Sequence, residues 1–113
     1  MEILKSLDQS SIVRSYVVLE YRTFQFGFFI KIKAALIDGS ELHIKEYSDE
    51  TERNYSYHWQ SDAGVLITRW DNAPHYSNLS TFPHHKHQEG KILPSEEILL
   101  EDVLEHLRER LHA

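Results

Sequence analysis

Gln25-Phe26-Gly27-Phe28-Phe29-Ile30-Lys31-Ile32-Lys33-Ala34-Ala35-Leu36-Ile37, stopped by Asp38-Gly39, is the stretch that decides the fold. Phe28, Ile30, Ile32, Ala34 and Leu36 fall on one side of a period-2 register and Phe29, Lys31, Lys33, Ala35 and Ile37 on the other, which is the pattern of a half-buried β-strand. Asp-Gly after such a run predicts a type I′ hairpin, with both central residues at positive φ. The returning strand, about Glu41 to Tyr47, turns Leu42 and Ile44 inward and His43 and Lys45 outward.

Working outward, Arg53 to Gln60 alternates again, with Tyr55, Tyr57 and Trp59 on one face and Asn54, Ser56 and His58 on the other. Three aromatics on one face of a small sheet read first as core and second as a ligand platform. Acidic Ser48 to Glu52 is the loop before this strand, and Ser61-Asp62-Ala63-Gly64 closes a second hairpin leading to Val65–Asp71. Upstream, the β-branched and aromatic residues of Ser11 to Arg22 favour a strand, with a helix as the competing reading. Ile3, Leu4 and Leu7 are spaced for a short N-terminal helix. Downstream, Pro74 and Pro83 keep Asp71 to Pro83 irregular, and His84 to Ile92 reads as one more short strand with His85 and His87 on one face and His84 and Lys86 on the other. After Pro94 the chain turns helical, with Ser95 as N-cap, Leu100, Val103, Leu104, Leu107 and Leu111 as the apolar stripe, and His106 and His112 on the surface. The expected fold is α+β: one domain over residues 1–113, an antiparallel β-meander of about five strands with a C-terminal helix packed on one face and a short N-terminal helix.

Composition removes whole classes of function. No apolar run reaches the roughly 20 residues a membrane span needs, and Met1-Glu2-Ile3-Leu4-Lys5 is not a signal peptide, so a cytoplasmic protein with no membrane partner is expected. The absence of cysteine excludes disulfides, thiol nucleophiles and cysteine zinc sites. With four glycines there is no phosphate loop, nucleophile elbow or dinucleotide fingerprint, which excludes the common nucleotide-cofactor enzymes and serine hydrolases. A net charge of −6 argues against nucleic-acid binding over the whole surface. The window Leu66 to Lys91, however, is +1, leaving −7 for the rest, so an anion would be received there.

That window holds the residues that folding does not account for. Arg69-Trp70-Asp71-Asn72-Ala73-Pro74-His75-Tyr76 and Phe82-Pro83-His84-His85-Lys86-His87 gather four of the eight histidines into thirteen residues. Three readings stay open. In one, His84, His85 and His87 with Asp71 are the ligand set of a zinc or nickel site. In another, the protein has no cofactor and is a metal-independent ribonuclease: His85 or His87 is the general base, His75 the acid partner, Asp71 orients an imidazole, Arg69 and Lys86 hold phosphate, and Trp70 or Tyr76 stacks a base. In the third, Asp71 and Asn72 cap a turn and the histidines bond loop carbonyls. The same loop could also serve a non-enzymatic binding module as its docking surface for a partner protein, and exposed sheet edges allow a homodimer.

The succession Tyr57-His58-Trp59-Gln60, Ser61-Asp62-Ala63-Gly64, Arg69 to His75, Phe82 to His87, Pro94-Ser95 and a terminal Leu-Glu-Asp-Val-Leu helix resembles the TumE family. These are small prokaryotic toxins of type II toxin–antitoxin pairs. The resemblance runs from about Ile32 to the end of the chain. It implies a growth-inhibiting toxin held by a cognate antitoxin encoded beside it, and many such small toxins cleave RNA. It carries over no catalytic residues, so those named above rest on their chemistry. RNA-cleaving toxins are usually basic, and the net charge of this chain stands against that.

Overall fold

The structure is a computed structural model and describes residues 1–111; His112, read above as a helix-surface residue, lies outside the described residues. The elements are α1 (Glu2–Gln9), β1 (Val13–Phe24), β2 (Gly27–Leu36), β3 (Glu41–Ser48), β4 (Arg53–Gln60), β5 (Leu66–Asp71), β6 (His85–Gln88), β7 (Lys91–Pro94) and α2 (Leu100–Leu111). The strands form one sheet in sequence order, each antiparallel to the next.

The α+β meander is thus as expected, but with seven strands instead of about five. Segment His84 to Ile92 is not one strand: it doubles back as β6 and β7 around Glu89-Gly90, whose φ values of 53° and 74° are those of a type I′ turn. The Asp38-Gly39 turn, conversely, is not type I′. Gly39 alone takes positive φ there, and the Asp38 carboxylate accepts from the Ser40 backbone N–H at 3.0 Å, so an Asx-type loop makes the turn.

Alternation sorts the side chains. Ile30, Ile32, Ala34 and Leu36 of β2, Leu42 and Ile44 of β3, and Tyr55, Tyr57 and Trp59 of β4 are buried on one face. Both helices cover that face, through Ile3 and Leu7 of α1 and Leu100, Val103, Leu104 and Leu107 of α2. His43 and Lys45 face away, as their register requires. His106 is not a free surface residue; its ring meets Trp70 edge-on at 5.6 Å, and burial lowers its pKa.

One buried carboxylate on the core face escapes the apolar pattern. Glu46 is buried and takes Arg53 Nε at 2.9 Å and the Tyr57 hydroxyl at 3.0 Å. Arg53 also donates to the Tyr57 oxygen at 2.7 Å, to the Ile98 carbonyl at 2.9 Å and to Glu97 at 3.1 Å. Burial, with Glu46 beside it, drives the Tyr57 phenol far above its ordinary range. These bonds also correct the helix start. Arg53 holds Glu97 and Ile98 outside any helix and Ser95 donates its N–H to Thr81, so α2 begins at Leu100, with Asp102 accepting the Leu99 N–H at 3.0 Å.

Arg53→Ala leaves Glu46 buried and uncompensated, and should lower the unfolding free energy in urea by about 3 kcal/mol. Pairing it with Glu46→Leu should recover much of that loss, because both charges then leave the core.

Candidate functional site

Strand register builds the site. Ser56 of β4 lies opposite Asp71 of β5, which lies opposite His85 of β6; one step along, His58, Arg69 and His87 align in the same way. Because alternate residues share a face, Arg69, Asp71, His85 and His87 stand together on the side of the sheet away from the helices. Asp71 is the centre. Its Oδ1 accepts the Ala73 N–H at 3.0 Å and lies 3.0 Å from His85 Nε2, while its Oδ2 accepts Arg69 Nε at 3.0 Å and lies 3.4 Å from His87 Nε2. Asp71 and His85 are buried, and the His87 side chain is 23% exposed.

The loop from Asn72 to His84 closes over one end of this group. Asn72 accepts the Tyr55 N–H at 2.9 Å and donates to the Arg53 carbonyl at 2.6 Å, fixing the chain as it leaves β5. Tyr76 then lies across the histidines, its ring 4.8 Å from that of His85 and 6.0 Å from that of His87. His75 follows the edge of Tyr76 and is exposed. His85 Nδ1 donates to the Pro83 carbonyl at 2.9 Å, so both ring nitrogens of His85 are engaged. Of the two imidazoles read as general base, His87 is the one open to a substrate. Burial holds its pKa below the usual histidine range, outweighing the Asp71 carboxylate that favours the charged form.

Asp71, His85, His87, Arg69, Tyr76 and, at the margin, His75 are therefore brought together. Trp70, Lys86 and His84 are not. Trp70 pairs with Lys86 across β5 and β6 on the helix-covered face and is buried, which removes it as a stacking platform. Lys86 shares that face, away from Arg69. His84 stacks on Tyr55, with its Nδ1 2.8 Å from the Tyr55 hydroxyl, and so leaves the ligand set proposed for a metal.

The open face carries residues that the local reading missed. Lys33, His43, His58, Arg69 and His87 form one cross-strand row, and Lys31, Lys45, Ser56, Asp71 and His85 the next. A cleft of about 330 Å³ runs between Lys31, Lys45, His43, His58 and Arg69. With Arg22 over the Phe29 ring, this face holds five Lys and Arg side chains against Glu20, Glu41 and Asp71, a net of +2 that leaves −8 for the remainder. His58 approaches Arg69 at 3.2 Å, and burial followed by that guanidinium lowers its pKa. The signal was present as period-2 alternation, but only the pairing of strands aligns it into rows.

A model of the family described as toxin TumE matches residues 3–111 of the chain. No curated protein and no solved structure matches it. Among the described residues no helix is long and apolar enough to cross a membrane.

His85→Ala removes a fully buried ring and a partner of Asp71, and should cost about 2–3 kcal/mol in urea unfolding. His87→Ala, at the open edge of the same cluster, should cost less than about 1 kcal/mol. Equal losses would mean that the cluster is closed on both sides.

Proposed function

The chain belongs to the toxin TumE family, and we propose that this toxin acts on RNA, gripping it across the open face of the sheet and cleaving it at the Asp71–His85–His87 cluster. The antitoxin partner follows from the family; the RNA target is our reading. One observation carries it. A protein of net charge −6 carries a net +2 on the single face that ends at its histidine cluster, five of its twelve Lys and Arg side chains against three acids, while half of its eighteen acids lie on the helices and the loop before β4. A phosphate chain is repelled by most of this surface and received by one part of it.

The parts fit a phosphodiester. Lys31, Lys33 and Lys45 offer ammonium groups at strand spacing, which follows a backbone without reading sequence. Arg69 stands beside Asp71 with 38% of its side chain exposed, so part of its guanidinium is free for the scissile phosphate. Tyr76, against His85 and His87, offers an aromatic surface for a base, and His75 sits at the rim as the partner for a leaving group. Local concentration of charge answers the objection from overall acidity.

The test is induced expression in a bacterial host, with folded protein verified for each variant. Wild type should arrest growth and leave fragmented RNA. Lys31→Glu/Lys33→Glu/Lys45→Glu should abolish arrest and weaken binding of a fluorescent single-stranded RNA at least tenfold at low salt. His87→Ala should keep that RNA affinity and lose cleavage. Growth arrest with intact RNA and no RNA binding would overturn the reading and make the face a protein-docking surface.

A further inference from the structure

We infer that Asp71, His85 and His87 form a binding site for one divalent transition-metal ion, with Asp71 and the two Nε2 atoms as its protein ligands. The inference deepens the reading of this cluster as the reacting end of the toxin, and rests on it for the ion's role but not for its binding. His85 Nε2 lies 3.0 Å from Asp71 Oδ1 and His87 Nε2 3.4 Å from Asp71 Oδ2, and one carboxylate oxygen with the two imidazole nitrogens makes a set of atoms all within 4.8 Å of one another. Ligand atoms bound at about 2.0–2.1 Å to a tetrahedral or octahedral ion stand roughly 3.0–3.4 Å apart, so the side chains have at most about 1.5 Å to close to share one.

The bonds behind the cluster fit the same end. His85 gives its Nδ1–H to the Pro83 carbonyl, which in the neutral ring leaves the Nε2 lone pair aimed at a carboxylate oxygen 3.0 Å away. A bound cation satisfies that contact, as a proton on Nε2 does. A histidine whose remote N–H is tied to a backbone carbonyl while its other nitrogen faces a carboxylate is the arrangement found behind metal-bound imidazoles. The Asp71 carboxylate is held by the Ala73 N–H and Arg69, as ligating carboxylates are. Imidazole and carboxylate without thiolate suit zinc, nickel, cobalt or manganese over softer ions.

The cluster is also open where a metal needs it to be. The closed side is buried His85 under Tyr76; the other is partly exposed His87, facing the cationic row. Three protein ligands and a solvent-facing side leave room for a water or phosphate oxygen. An ion there would polarise a phosphate oxygen or acidify a bound water. His84, bonded to Tyr55 on the other face, takes no part.

The experiment uses the full chain without a histidine tag, stripped with a chelator and titrated with cobalt(II) and zinc. Wild type should take up one equivalent, develop the visible ligand-field bands of protein-bound cobalt and melt at higher temperature with zinc. His87→Ala, near the edge and expected to fold, should weaken binding at least tenfold; Asp71→Asn should do the same, and His84→Ala should leave stoichiometry and bands unchanged. Uptake by wild type no greater than by His87→Ala, or an equal loss in His84→Ala, overturns the site. RNA affinity is measured in parallel in chelator, where the Lys31, Lys33 and Lys45 surface acts alone. No metal uptake by wild type with its RNA binding intact refutes this site only, and metal uptake by wild type without RNA binding refutes the RNA reading only.

Discussion

A seven-stranded sheet in a chain of 113 residues has helices enough to cover only one of its faces. α1 and α2 lie on the same side, and the other is left to water, so every strand that crosses the middle must be apolar toward the helices and polar away from them. The rest of the molecule depends on that asymmetry. Once one face must be polar, what it carries is free of packing demands, and here it carries cations and imidazoles. Because neighbouring strands are antiparallel and adjacent in sequence, residues forty positions apart are aligned by register with no long-range device.

Two buried carboxylates sit on opposite sides of this sheet, and they solve the cost of burial differently. Glu46, beneath the helices, is neutralised by Arg53 and closed by Tyr57, with the arginine's other donors spent on the approach to α2. That network is a clamp: it fixes the entry of the C-terminal helix and has no group left over. Asp71 has only one edge of Arg69 and a backbone N–H, and its remaining contacts are imidazoles, which exchange protons and bind metals. Asn72 lies between the two, bonding the backbone of Tyr55 and Arg53, so the loop that completes the open-face cluster is anchored to the strand that carries the clamp.

Much of this was legible in residues alone, for a physical reason. Gly27 to Leu36, Glu41 to Ser48 and Arg53 to Gln60 are strands whose period-2 pattern is local, and the placement of His85 and His87 on one face and His84 and Lys86 on the other follows from the same period. What escaped was non-local. Nothing near Trp70 says that its face of β5 lies beneath α2, so an aromatic beside an arginine passed for a stacking platform. Glu89-Gly90 has the glycine of a type I′ turn but a Glu where Asn, Asp or Gly usually precedes it, which hid β7. Ser95 has the chemistry of a helix cap but sits where Arg53 and Thr81 hold the chain in a non-helical path. Lys31, Lys33, Lys45 and His58 read singly as solvated strand residues; only pairing turns them into a surface.

Finally, the two imidazoles beside Asp71 come from one strand, at i and i+2, and share a carboxylate, yet one is buried and the other is not. The difference arises at the ends of β6. His85 is its first residue, under Tyr76 and bonded to Pro83 of the incoming loop, while His87 lies two residues further on, beyond the closest approach of Tyr76 and opposite Arg69. A loop that closes over a strand end therefore grades exposure along that strand. Fixed geometry on the inner imidazole and access on the outer one are what any chemistry at Asp71 requires, with a proton or with a metal. Moving the closure by one strand residue would reverse the face presented, and moving it by two would bury both rings or neither.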